Sequence, residues 1–177
     1  MITLESGLVL RKIDEPDIEN NWETLVSLRN DVDTALQIMS RPFGQTRDDV
    51  KSWIKTRNAQ TGCVFLGIFV EDAFRGYLMF TEECRISGVG EISITLSRDA
   101  RGKGIGTVAL AGFIEFLFSA LDYRKFLARI IDNNLGSIHV FEKNGFNLVG
   151  TMRHHRKIRG AYHDVRLYEK IMRPPAQ

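Results

Sequence analysis

The stretch GEISITLSRDARGKGIG, residues 90–106, decides how the rest of the chain is read. Ile92, Ile94 and Leu96 alternate with Ser93, Thr95 and Ser97, the two-residue period of a half-buried strand. Gly102, Gly104 and Gly106 follow, and from Ile105 the apolar residues take up a helical period. The segment therefore predicts strand, turn and a glycine-studded entry into a helix. Backbone N–H groups at a helix N-terminus are unpaired and carry partial positive charge, so glycines placed there let an anion reach the main chain.

Two phosphate motifs are excluded by spacing. No run of two glycines four residues apart followed by Lys-Ser/Thr occurs, and the dinucleotide fingerprint needs a third glycine where Thr107 stands. What fits is Arg-x-x-Gly-x-Gly, met by Arg101, Gly104 and Gly106. This resembles the pyrophosphate signature of the GNAT N-acetyltransferases. The resemblance implies that the loop from Arg101 through Gly102, Lys103, Gly104, Ile105, Gly106 and Thr107 holds the pyrophosphate of acetyl-CoA as co-substrate.

The 177 residues suit one domain, expected over 1–173 with a short tail at 174–177. Lys and Arg number 24 against 22 Asp and Glu, a balance that makes a nucleic-acid partner unlikely on charge. Cys63 and Cys84 lack metal or disulfide spacing and read as free thiols. With no signal peptide or long apolar run, the expected location is the cytoplasm, with no membrane partner. The oligomeric state is not set, and a homodimer stays open.

In chain order, Leu8–Ile13 reads as a strand, and Asp14–Asp17 with Pro16 opens a helix to about Arg29 whose apolar positions include Ile18, Trp22, Leu25, Val26 and Leu28. A second short helix covers Asp33 to Met39, and Ser40–Gln45 is a loop. Thr46 and Asp49 form a capping box with a shortened acid, starting a third helix that buries Val50, Trp53 and Ile54. Cys63–Val70 and Gly76–Phe80 predict a hairpin across residues 71–75, and a second hairpin leads to the Glu91 strand. Leu110, Phe113, Ile114, Leu117, Phe118 and Leu121 form the stripe of the helix after the glycines. A strand to Ile131, a helix from Leu135 to Asn144 stopped by Gly145, and a closing hairpin of Phe146–Met152 with Tyr162–Met172 complete the order. That order predicts an α+β domain with a mixed, mostly antiparallel central sheet flanked by helices.

The second half strengthens the resemblance. Asn134, Ser137, Phe141, Gly145 and Phe146 match the pattern Asn-x-x-Ala/Ser-x-x-x-Tyr-x-x-x-Gly-Phe of many GNAT members, and GAYHDV near the end looks like the subgroup holding ribosomal-protein N-terminal, polyamine and amino-sugar-nucleotide acetyltransferases. The resemblance implies that Ile94, Thr95 and Leu96 pair with the pantetheine arm, and that Asn134, Ser137 and Phe141 also contact the cofactor. It implies a general base at Glu91, against the bland reading of a solvated strand-end carboxylate. Relatives often carry Tyr at the position of Phe141 to protonate the departing thiolate, and Phe cannot do so. By residue type alone Tyr123, His139, Tyr162 and His163 are substitutes. Arg29 and Asn30, at the break after the first helix, are the acceptor-pocket candidates, with Arg29 alternatively neutralising a helix C-terminus. The run Arg153-His154-His155-Arg156-Lys157 reads first as a solvated strand face, and no metal site is expected.

The reading is an enzyme moving acetyl from acetyl-CoA to a primary amine of a small molecule or peptide, the acceptor being a protein N-terminus, an amino sugar nucleotide, a polyamine or an antibiotic amine. The basic closing hairpin argues mildly against a polyamine. The alternative is a non-catalytic acyl-CoA-binding or regulatory module, motivated by Phe141.

Overall fold

The computed structural model describes residues 1–4, 7–37 and 44–173. The expected helix end at Met39, most of the Ser40–Gln45 loop and the Pro174-Pro175 tail lie outside them. The described residues form β1 (Ile2–Thr3), β2 (Leu8–Arg11), α1 (Glu15–Asn30), α2 (Val32–Gln37), α3 (Arg47–Ala59), β3 (Cys63–Val70), β4 (Ala73–Cys84), β5 (Val89–Leu96), α4 (Ile105–Ser119), β6 (Lys125–Ile131), α5 (Leu135–Lys143), β7 (Asn147–Ile158) and β8 (Ala161–Ile171). The expected order holds, with β1 added.

The strands make one eight-stranded sheet in the order β1-β2-β3-β4-β5-β6-β8-β7. Every neighbouring pair is antiparallel except β5 and β6. β3 is apolar on both sides because the sheet carries helices on both. Leu66 and Ile68 join Leu78, Phe80, Leu110, Phe113, Leu117 and Phe126 in one core, while Phe65 and Phe69 join Leu25, Ile54, Phe74 and Tyr77 in another. The first core buries the α4 stripe, the second the inner faces of α1 and α3. Truncating a fully buried ring such as Phe113 costs about 3–5 kcal/mol.

Local signals set the helix starts. Asp14 caps α1 with a capping box, the Asp17 amide donating to Asp14 Oδ1 at 3.0 Å and the Asp14 amide to Asp17 Oδ2 at 3.1 Å. Thr46 and Asp49 cap α3 the same way. Three expectations are corrected. Trp22 is 38% exposed, since the inner face of α1 is carried by Ile18, Leu25 and Leu28. The first hairpin turns at Glu71-Asp72 alone, because Phe74 is needed in the core beside Phe69. The closing strands run well past Met152 and start before Tyr162, so the basic run lies within β7, mostly exposed.

Candidate active site

β5 pairs with β4 from Val89 to Leu96, but with β6 only through Val89, Gly90 and Glu91. Beyond Glu91 the two strands part, and β6 continues to Ile131 against β8. On its other side β5 lies close to β4: Gly76 has φ 152°, and a Cβ there would lie 2.1 Å from the Thr95 carbonyl oxygen. Only glycine lets the end of β5 pack this closely on β4. Beyond Glu91, main-chain groups of β5 on the β6 side are left without a strand partner.

Two cavities occupy this parting. One, of about 390 Å³, lies between β5, β6 and α3; the other, of about 410 Å³, follows β5 to the start of α4. They share Gln37, Ile94, Thr95, Asn134 and Ser137, so they meet between β5 and the first turn of α5. This junction also explains the burial along β5. Ile92 is buried as expected, yet Ile94 and Leu96 are only half-buried because they face the cavities, while Thr95 and Ser97 are buried.

At the second cavity, Gly104 is the N-cap of α4 in the left-handed region at φ 78°, and its carbonyl accepts from the Thr107 and Val108 amides at 3.0 and 3.2 Å. The amides of Ile105 and Gly106 precede the first intrahelical donor and have no partner within the helix. Gly102 and Gly104 have no protein atom near where a Cβ would stand, whereas Gly106 packs α4 onto Leu96 and Val140. Arg101 lines this cavity, but its guanidinium is turned to the strand end, donating to the Leu96 carbonyl at 3.0 and 3.1 Å and to Thr34 Oγ1 at 2.8 Å. It therefore ties the loop to β5 and α2. Lys103 is exposed, and Ile105 is half-buried against the core.

Arg98 joins this tie by donating to Asp31 at 2.7 Å. Hydrogen bonding from Arg98 and Thr34 brings the Asp31 carboxyl down to about 2.

Glu91 lines the first cavity at the mouth of the parting. Arg129, two residues beyond its strand partner Leu127, reaches back so that its Nε is 3.0 Å from both Glu91 oxygens, and its terminal nitrogen also bonds Glu91. The fork fixes the orientation of the Glu91 carboxylate. Arg129 carried no motif; two residues of strand register from Glu91 is the signal that could have found it.

α5 supplies the opposite wall. Asn134 is its N-cap, the carbonyl oxygen of its side chain accepting from the Ser137 amide at 3.1 Å. Phe141 is buried edge-on to Phe146, with 4.9 Å between ring centres. Ser137 lies one turn before it and lines both cavities. The other hydroxyl and imidazole candidates are placed elsewhere. Tyr123 bonds Glu82, Tyr162 is 62% exposed, and His163 lies 3.1 Å from Asp132, none of them lining either cavity. His139 lines the second. Burial and the Glu82 bond push the Tyr123 hydroxyl up.

Arg29 reaches the first cavity, its guanidinium 4.3 Å above the Trp53 ring. Asn30 is not on either wall: its side chain exchanges two hydrogen bonds with the Gln45 backbone, both 2.9 Å. Trp53, expected to be buried on α3, is instead half-buried because its ring faces the cavity, and the sequence does not single out Arg57 or Tyr77 as wall residues, aromatic residues at core spacing giving no separate signal. Among the described residues no group of three or more His, Cys, Asp or Glu could hold a metal, both cysteines are free, and no helix is long and apolar enough to cross a membrane.

A family model described as an acetyltransferase (GNAT) domain matches residues 8–147. The ribosomal-protein-serine acetyltransferase of Escherichia coli strain K12 is 30% identical over 105 residues, 59% of each chain. The probable N-acetyltransferase YjcK of Bacillus subtilis strain 168 is 36% identical over 73 residues, 41% of this chain and 40% of that one. The chain thus aligns with roughly two-fifths to three-fifths of the length of these relatives. In fold, it superposes on a ribosomal L7/L12 alpha-N-protein acetyltransferase solved with coenzyme A, with TM-score 0.86, 22% identity and 97% of both chains covered. It likewise superposes on the Vibrio cholerae spermidine N-acetyltransferase solved with CoA and spermine, with TM-score 0.83, 18% identity, and 95% and 97% covered.

Proposed function

From the premise that this chain belongs to the GNAT acetyltransferase family, we propose that it is an acetyl-CoA-dependent N-acetyltransferase acting on a primary amine, and that it works in the cytoplasm. The observation that carries this is the meeting of two cavities at Thr95 and Ser137, one floored by a helix N-terminus and the other bordered by Glu91. The unpaired amides of Ile105 and Gly106, with those of the glycine loop, receive the pyrophosphate. The main chain of Ile94, Thr95 and Leu96, which has no strand partner on its β6 side and whose Leu96 carbonyl is held by Arg101, pairs with the pantetheine arm and directs the thioester carbonyl toward an amide donor. Asn134 and Ser137 border the thiol end.

In the reaction the amine nitrogen attacks the thioester carbon, the C–N bond forms and the C–S bond breaks. The proton lost by the amine passes to Glu91 through water, and the departing thiolate gains a proton. Phe141 has no proton to give, so Ser137, one turn earlier on α5 and on the wall of both cavities, takes that part. A protein N-terminus and an amino sugar nucleotide are the acceptors that the family likeness suggests.

The test is release of free CoA thiol from acetyl-CoA across a mixed amine panel, with calorimetric titration of acetyl-CoA alongside. Saturable binding with amine-dependent release is expected. Tight binding with no release for any amine would instead favour a non-catalytic acyl-CoA-binding module.

A further inference from the structure

We propose that the acceptor carries an anionic group, a carboxylate or phosphate, on the part of the molecule remote from its reacting amine. This rests on reading the cavity beside Glu91 as the acceptor site. Among the described residues its wall holds three guanidinium groups, Arg29, Arg57 and Arg129, and one carboxylate, Glu91. Glu91 is already matched to Arg129. Arg29 and Arg57 form no ion pair with any described residue. Arg29 donates through Nε to the Gln45 side chain and lies over the Trp53 ring. Arg57 donates to Gln60 Oε1 at 2.6 Å, and its Nε is buried with no hydrogen-bond partner.

A cation that is partly withdrawn from water and lacks a counter-charge is costly, and an arriving anion relieves that cost. Guanidinium groups match the planar fork of a carboxylate and the oxygens of a phosphate. Trp53, Tyr77 and Met79 supply an apolar wall beside the two arginines, the Trp53 ring lying 5.3 Å from that of Tyr77. A cationic polyamine would meet two arginines there that have no ion-pair partner among the described residues. An amine with an anionic tail instead sets its charge against Arg29 and Arg57 and its nitrogen toward Thr95 and Ser137, where the cavities join.

The test uses the full chain saturated with CoA, titrated calorimetrically with two matched pairs: glucosamine 6-phosphate against glucosamine, and 4-(aminomethyl)benzoate against benzylamine. In at least one pair the anionic member is expected to bind on the order of ~10-fold more tightly, the advantage of one charge-assisted contact. Whether the phosphate or the carboxylate pair shows it identifies the group. Arg57→Gln and, independently, Arg29→Gln should remove the preference while CoA affinity stays unchanged. Equal affinity within both pairs, tighter binding of the neutral-tailed members, or no binding of any member overturns the inference. Acetyl transfer is followed in parallel. An anion preference with no transfer to any amine refutes the transferase reading and upholds anion recognition; transfer without the preference does the reverse.

Discussion

Glu91 and Arg129 form a forked ion pair across the point where β5 and β6 separate, Nε standing 3.0 Å from each carboxylate oxygen. The pair closes the last bonded rung between the strands and stands at the edge of the cavity that opens beyond it. A carboxylate so placed is held in one orientation, as a base must be before its chemistry matters. Replacing Glu91 with Gln should lower kcat by about 10²-fold or more while leaving the acetyl-CoA dissociation constant unchanged. Steady-state kinetics beside calorimetry checks this, and an unchanged kcat across pH removes Glu91 as the base.

Gly104 tests the anion cradle. At φ 78° any side chain strains the backbone, so Gly104→Val should destabilise the fold by about 1–2 kcal/mol. A Cβ there touches no protein atom, so it projects into space that the cofactor would use. Acetyl-CoA affinity is expected to fall by about tenfold or more, beyond what thermal unfolding accounts for. Undiminished affinity in the folded variant contradicts binding of phosphate at this helix start.

Ser137 separates its structural and chemical parts cleanly. Its backbone amide donates to the Asn134 cap, a bond that Ser137→Ala retains, so stability should change by less than about 0.5 kcal/mol. The hydroxyl alone is lost, and kcat should fall about 10-fold or more with little change in acetyl-CoA affinity. A wild-type kcat in this variant would assign thiolate protonation to water.

Asp31 links the start of α2 to the turn that leads into the glycine loop, and its ion pair makes stability depend on acid. Its carboxyl is held at about 2 in the fold, below the ordinary value of 3.8. The unfolded chain therefore binds the proton more readily. The contribution is fully present above pH ~4 and is lost as pH falls through about 2. Arg98 is 70% exposed, which screens the pair, so Asp31→Asn should cost only about 1 kcal/mol at neutral pH. Urea unfolding at pH 7 and again near pH 2 should show that difference shrinking toward zero; a difference independent of pH excludes the ion pair as its source.

Local signals in the sequence carried most of the architecture. Capping boxes at Asp14 and Thr46, the α4 stripe around Phe113 and the alternation along β5 are short-range consequences of side-chain type and spacing, so each could be read without knowing what packs against it. The same holds for Gly104, because a positive φ at a helix start belongs to the residue itself. Tertiary structure decided the rest. Which side of β5 is open depends on where β6 leaves it, beyond Glu91. That Glu91 is matched by Arg129 depends on parallel register, and that Arg29 meets Trp53 and lines one cavity with Arg57 depends on α1 and α3 sharing one face of the sheet. Such relations join residues far apart in the chain through packing, and no local periodicity encodes the distance between them.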